Sequence, residues 1–526
     1  MCILKFMLFS CVICIFFSCS SFHKEQLENA LSFATFNRLE LEKVLKHYEH
    51  DSLKLEAAKF LIRNMPHCYS YQQGGEMDSV KRVRTYYSPF GQIDQTYARR
   101  WGHYTYRNLL KIYDAHIITA EYLIDNIDRA FDNWQKRSWN RSLSFEDFCE
   151  YLLPYRIGDE PLEEWRELYE KKYGYLLDSI YKGSDVVEAA NLVSRHLQEP
   201  VFIYCEDFEL PHIGPRYLFS HRYGSCVDAA DIVTYAFRAV GIPCMEDTDA
   251  RGGHVWNVVR DTTESDVPIW YIASEAVRGS RDTGGYKRGK VYRSMYGFQE
   301  EKAAHLGDDW KSMPLLFYHP YMKDVSYAYY PDTLRILTGI PDGEVCYLAH
   351  FHEAHWWSCA CARSASGKME IPNLESELVY LPMKYTKGNY YPSGFPFWFA
   401  GGEINTFLPD WEKTVKVRLY RKYPVYGWLR SFMGHVVGGT FEGSMTKDFE
   451  DGKTLYEIAD TPVIARNRIF LNKPVKCRYI RYKADNDKCA ELAEMTFYAN
   501  GKAVSGLGES YGKRKYACAG KACGGW

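Results

Sequence analysis

The sequence predicts a multidomain α+β protein: a helical N-terminal region, a core that mixes helices and strands, and two C-terminal β-sandwich modules. Three observations carry that expectation. Apolar residues recur at helical spacing from about Leu31 to Glu199. From about Asp324 onward the texture changes to short β-branched and aromatic runs separated by Gly, Pro and Asn. The chain has 526 residues, room for three or four domains at roughly 150 residues each. With 25% charged and 46% hydrophobic residues it is neither disordered nor collagenous. Lys and Arg total 65 against 67 Asp and Glu, so no global basic surface calls for nucleic acid as a partner.

Met1 to Phe17 carries Lys5 and then an apolar run from Phe6 to Phe17, too short to span a bilayer and of the length of a signal h-region. Residues 1–18 are expected to be a signal peptide. The run ends in Phe16-Phe17-Ser18-Cys19, which resembles a bacterial lipobox with Phe in place of the usual Leu at −3. That resemblance implies lipidation at Cys19 and a protein exported and anchored to the bacterial outer membrane, on its periplasmic face or at the cell surface. The alternative is a plain signal peptide cut near Ser18. No later stretch reaches 18 apolar residues, so the membrane is met through the anchor and not by a span. Of 16 cysteines, twelve then remain in the folded part, without a CxxC, which is not a disulfide scaffold.

The elements follow in order. In the helical region, 19–164, Leu53, Ala57, Phe60, Leu61 and Asn64 share one helical face, Asp51 can cap it and Pro66 closes it. A second helix is expected over Leu162–Tyr173. A third, Asp185–Gln198, has Asp185 as cap, Val186, Val193 and Leu197 as core positions and Pro200 as stop. Val201–Tyr204 reads as a short strand. Farther on, Leu378–Leu381 and Phe395–Phe399 read as sandwich strands, and Cys477–Tyr482 and Ala493–Tyr498 alternate with period two. Residues 504–526 read as a weakly ordered tail.

Between these lies the segment with chemistry. Val227, Ala230, Val233, Phe237 and Val240 recur at helical spacing, and Gly241 and Pro243 end that helix. Cys226 therefore stands in the first turn, where the helix dipole and unpaired backbone N–H groups favour a thiolate and could hold an oxyanion. Twenty-eight residues on, Gly253-His254-Val255-Trp256-Asn257 reads as a strand with His254 and Trp256 on one face and Val255 and Asn257 on the other. A polar turn, Asp261 to Asp266, reverses the chain into Pro268-Ile269-Trp270-Tyr271-Ile272-Ala273-Ser274-Glu275. In such a hairpin Ser274 or Glu275 could come back to orient the imidazole, with the turn deciding the register.

A Cys on a helix start, a His on a strand and an acidic group on the next strand resemble the transglutaminase-like superfamily of papain-type cysteine enzymes. The match is carried by Gly224-Ser225-Cys226-Val227-Asp228, Arg238-Ala239-Val240-Gly241-Ile242-Pro243 and Gly253-His254-Val255-Trp256, and the core it covers is 165–315. Phe60-Leu61-Ile62-Arg63-Asn64-Met65-Pro66 and Tyr151-Leu152-Leu153-Pro154-Tyr155-Arg156 resemble large exported bacterial members. The resemblance implies a papain-like fold, Cys226 as nucleophile, His254 as general acid/base and a third member near Ser274, where the family carries Asp; Glu275 is the expected third member. It implies a peptidase or amidase acting on a peptide, glycopeptide or cell-wall peptide, with hydrolysis favoured over cross-linking. A non-catalytic surface glycan-binding protein is the alternative.

Taken singly, each of these residues has a plainer role. Cysteine is among the most buried residue types, and a His beside Trp is commonly structural. Asp228 suits a helix-start charge, as does Asp231. His350-Phe351-His352-Glu353-Ala354-His355 is not HExxH, since Trp356 stands where the second His would be, and no metal or cofactor is expected. Gly452-Lys453-Thr454 lacks the earlier glycine of a P-loop. CRYIRYKADNDKC and AEMTFYANG resemble a discoidin-type, galactose-binding-like sandwich over 415–503, which implies carbohydrate as a possible ligand. The module before it, 320–414, is Ig-like by texture.

Overall fold

The computed structural model describes residues 21–504, except 88–92, 94, 102–103, 206–207, 252, 264, 273, 281–286, 301–312, 353–354, 418–432, 463–466, 486–491, 493–494 and 500. Cys19, the signal peptide, Ala493, Glu494 and the tail beyond 504 lie outside the described residues. The fold is mixed α+β and multidomain. Chain contacts divide it into two compact units, one running to Phe407 and the other from Leu408 on, with Gln92–Thr96 and His352–His355 grouped with the second.

The first unit begins with helices because the N-terminal region offers one apolar stripe after another. Ser52–Asn64 is capped by Asp51, whose carboxylate accepts from Lys54 N–H, and it buries Ala57, Phe60, Leu61 and Asn64 while Leu53 stays exposed. Helix α1, Ala120–Lys136, packs against it through Leu123, Ile127 and Phe131. Helix α2, Arg166–Tyr175, starts later than its apolar pattern suggests: Leu162 to Trp165 stay outside the helix. Trp165 is instead pinned by its indole N–H on the Tyr155 carbonyl at 2.9 Å. Helix α3, Val186–His196, takes its cap from Asp185, which accepts from Val187 and Glu188 N–H.

Helix α4, Cys226–Ala239, is the centre of this unit. From Asp228 to Ala239 every residue is buried, including Asp231, Thr234 and Arg238. An amphipathic pattern would leave those polar positions in water; tertiary partners take the place of water here. Arg238 donates to the carbonyls of Tyr151, Cys244 and Arg156. At the C-terminal end, the orphan carbonyls common to all helices are met by Arg137 on Val240 and by Trp139 and Asn140 on Gly241. Gly241 has φ +83°, and a Cβ there would stand 2.8 Å from the Asn133 carbonyl oxygen, so glycine is required twice over.

Against α4 lies a five-stranded antiparallel sheet of β1 (Cys244–Asp249), β2 (Val255–Val259), β3 (Val267–Ile269), β4 (Val291–Ser294) and β5 (Met322–Asp324), in the order β3-β2-β1-β4-β5. Val259, Val267 and Ile269 join the core that α2, α3 and α4 share, whereas Trp256 and Val258 belong to a second cluster with Trp270 and Tyr329. The period-two alternation read from the sequence of β2 thus places one face on the helix and the other on aromatic residues.

Later in the first unit an antiparallel sheet includes Val345–His352, His355–Arg363, Leu378–Thr386, Phe397–Ala400 and Glu403–Thr406, with Asp332–Leu337 paired to Lys368–Leu374 beside it in sequence. In the second unit, Lys453–Glu457, Thr440–Ser444 and Tyr479–Lys483 form a three-stranded antiparallel sheet. No helix among the described residues is long and apolar enough to cross a membrane.

Candidate functional site

The start of α4 is built by local chemistry and locked from afar. Asp228 reaches back to accept the Ser225 backbone N–H at 2.7 Å and its hydroxyl at 3.1 Å, the acidic half of a capping box. Gly224 makes room for this, since a Cβ there would come within 2.4 Å of the Asp228 side chain. Arg84 from the N-terminal region then pairs with the same carboxylate at 3.0 Å, both side chains buried, and donates to the Phe208 carbonyl. Cys226, the first residue of the helix, is half-buried on this fixed turn.

His254 arrives through a loop organised by Asp249, whose carboxylate accepts the backbone N–H groups of Arg251 and Gly253, each at 2.9 Å. Its ring stacks on Trp256, with centroids 5.9 Å apart and planes at 26°, and tilts against Tyr271 at 5.3 Å. Trp256 is held in turn by its indole N–H on Tyr329 Oη (3.0 Å), which donates to Asp247; Arg293 clamps Asp247 from the other side.

Cys226 and His254 line one narrow cleft, with a cavity volume of only about 10 Å3, room for about one water molecule, together with Tyr204, Asn257, Trp270 and Tyr271. Asn257 is not free to turn into it: its amide donates to the Ala230 carbonyl and to Thr234, tying β2 to α4. The cleft therefore sits where the helix start and the strand start meet.

The structure does not bring Glu275 to the imidazole. Strand β3 pairs Asn257 with Ile269, and extending that register sets His254 opposite Ile272, short of Ser274 and Glu275. The chain then leaves the sheet. Ser274 closes a turn on Tyr271, with its N–H on the Tyr271 carbonyl and its hydroxyl accepting the Tyr271 N–H. Asn191 of α3 grips the backbone of Ala276 by both its N–H and its carbonyl, which leaves Glu275 exposed and paired with Arg195 at 3.2 Å.

What meets the imidazole instead is the backbone carbonyl of Trp270, 3.1 Å from Nε2. A carbonyl only accepts, so Nε2 carries the proton and Nδ1 keeps the lone pair. Burial is the main reason His254 titrates below the ordinary histidine range. The Trp270 carbonyl and Asp249 oppose that effect; Arg288 and Arg251 add to it. A search for an acid by spacing cannot find such a partner, because any residue type supplies a carbonyl. Asp249, Trp270 and Arg84 were likewise invisible as a group, being far apart in sequence from what they hold.

Among the described residues, no group of three or more His, Cys, Asp and Glu is placed to hold a metal ion, and Glu353 lies outside the described residues. Searches against family models, curated proteins and solved structures found no match to this chain.

Proposed function

We propose that the chain is an exported, lipid-anchored cysteine hydrolase with a transglutaminase-like, papain-type core over 165–315, followed by an Ig-like sandwich (320–414) and a discoidin-type, galactose-binding-like one (415–503). The observation that carries this reading is the shared cleft: a Cys on the first turn of a buried helix and a His immediately before the adjoining strand. The helix start favours the thiolate, and its first backbone N–H groups, which have no intrahelical acceptor, suit a developing oxyanion. His254 Nδ1 would take the thiol proton and return it to the leaving amine, giving a thioester that water resolves. Peptide, glycopeptide or cell-wall peptide amides are the substrate class, and the C-terminal module would meet carbohydrate.

A thiol-directed probe read site by site tests this. Labelling of Cys226 should fall sharply in His254→Ala and should set in below the pH range of an ordinary thiol. Buried Cys68 and Cys244, whose thiols desolvation pushes up to about 12, serve as unreactive internal standards. Equal labelling in His254→Ala argues for the second reading, a glycan-binding surface protein on the same scaffold. The observation favouring that alternative is the exposed Glu275, turned to Arg195. For the anchor, metabolic lipid labelling that persists in Cys19→Ala refutes lipidation at Cys19.

A further inference from the structure

Beside the two indoles that serve the imidazole lies a cation that sequence spacing gives no reason to notice. Arg288 is buried, with its guanidinium 4.8 Å from the ring centre of Trp256 and 5.2 Å from that of Trp270. The two indoles are 5.1 Å apart, and each serves His254 in a different way: Trp256 as the surface its ring stacks on, Trp270 as the residue whose carbonyl meets Nε2. The backbone N–H of Arg288 is fixed by Glu375, so the side chain enters from an anchored turn.

We infer that Arg288 is a positioning residue for His254: bound to both indoles, it sets the imidazole's stacking surface and its Nε2 partner together, and so keeps Nδ1 as the unprotonated nitrogen. Cation–π contact with two indoles fixes their mutual angle, and a buried positive charge close by disfavours a second one on the imidazole. The charged and titratable groups around the ring are Arg288 against the two indoles, Asp249 and Arg251 on the loop before it, Tyr271 just after β3, and Cys226 and Tyr204 across the cleft. Arg288 thus does by charge and stacking part of what an acid would do by hydrogen bonding, with the opposite effect on the imidazole's proton affinity. The inference rests on the cysteine-enzyme reading for its purpose, although not for its measurement.

The experiment uses the full chain with 15N-labelled histidine, following the His254 tautomer and titration by NMR and Cys226 alkylation by iodoacetamide. The wild-type ring is expected as the Nε2–H tautomer. In Arg288→Met its proton affinity should rise severalfold and Cys226 alkylation should slow, with Arg288→Lys restoring the titration. An Arg288→Met protein that is folded and titrates as wild type overturns the inference. If that variant does not fold, Arg288→Gln carries the same expectation, and if neither folds the wild-type tautomer decides, Nδ1–H overturning it. Alkylation indifferent to His254→Ala would refute the enzyme reading while leaving the titration shift to stand or fall separately.

Discussion

Two histidines stand beside the same helix, and they are held in opposite ways. At the start of α4, half-buried His254 lines a narrow cleft with Cys226 and has a backbone carbonyl for a partner. Farther along, His212 Nδ1 lies 2.9 Å from the carboxylate of the fully buried Asp231, beneath Gly158, where a Cβ would collide with the ring. Burial opposes the charge on His212, yet Asp231 outweighs it and raises His212 well above the ordinary histidine range, whereas His254 falls below it. Of the two, only the one without an acid lines the cleft with the thiol. The difference teaches that an acid–imidazole pair can serve as a buried clamp, while the imidazole beside the thiol is held by a main-chain carbonyl alone.

The largest effect expected from breaking this comparison is on chemistry. Cys226→Ala should abolish labelling at that site, and His254→Ala should slow it by roughly 10²–10⁴-fold, measured by mass spectrometry of the modified peptide. His212→Ala should leave labelling of the folded protein within a few-fold.

Stability should show the reverse. Asp231→Ala strands His212 and removes a buried pair, an expected loss of about 3–5 kcal/mol in urea unfolding. Arg84→Met, which leaves the buried Asp228 carboxylate without its cation, should cost a similar amount and also loosen the turn that carries Cys226. A loss near zero would mean that water reaches the stranded partner, the His212 imidazole in the first variant and the Asp228 carboxylate in the second.

The two histidines should also tilt the pH dependence in opposite directions. His212, raised in the folded state, contributes stability that is complete below the unfolded histidine pKa of about 6.5 and lost as pH rises through its folded value. His254, lowered, contributes stability that is complete above about 6.5 and lost as pH falls through its folded value. Unfolding curves of His212→Gln and His254→Gln against pH should lose the alkaline and the acid slope respectively; the same slope lost in both would break the comparison.

The smallest effect is expected at Glu275. Its pair with Arg195 is exposed, so Glu275→Gln should change stability by under about 1 kcal/mol and Cys226 labelling by less than twofold. A larger drop in labelling would restore Glu275 as the third member.

Much of the helix around Cys226 was legible locally. The periodic apolar residues, Gly241 at its end and Cys226 at its start all rest on interactions within a few residues, and Asp185 and Asp51 cap their helices as their types require. His254 at the head of a strand is legible for the same reason. Trp165 shows the limit: the apolar pattern runs through it, yet the Tyr155 carbonyl holds it outside the helix that follows.

By itself, then, the sequence determined the thiol and the imidazole of the proposed site and the elements that bear them, because period, caps and breakers act over one or two turns. Only the tertiary structure decided what surrounds them. The path of the chain beyond β3 is set by the Ser274 turn on Tyr271 and by Asn191 of α3 on Ala276, and the partner of His254 is a main-chain carbonyl with no residue type attached. The charge against the two indoles comes from Arg288, and the cation that pairs with Asp228 at the helix start from Arg84. These are contacts between residues far apart in the chain, set by packing and register, and no local pattern encodes them.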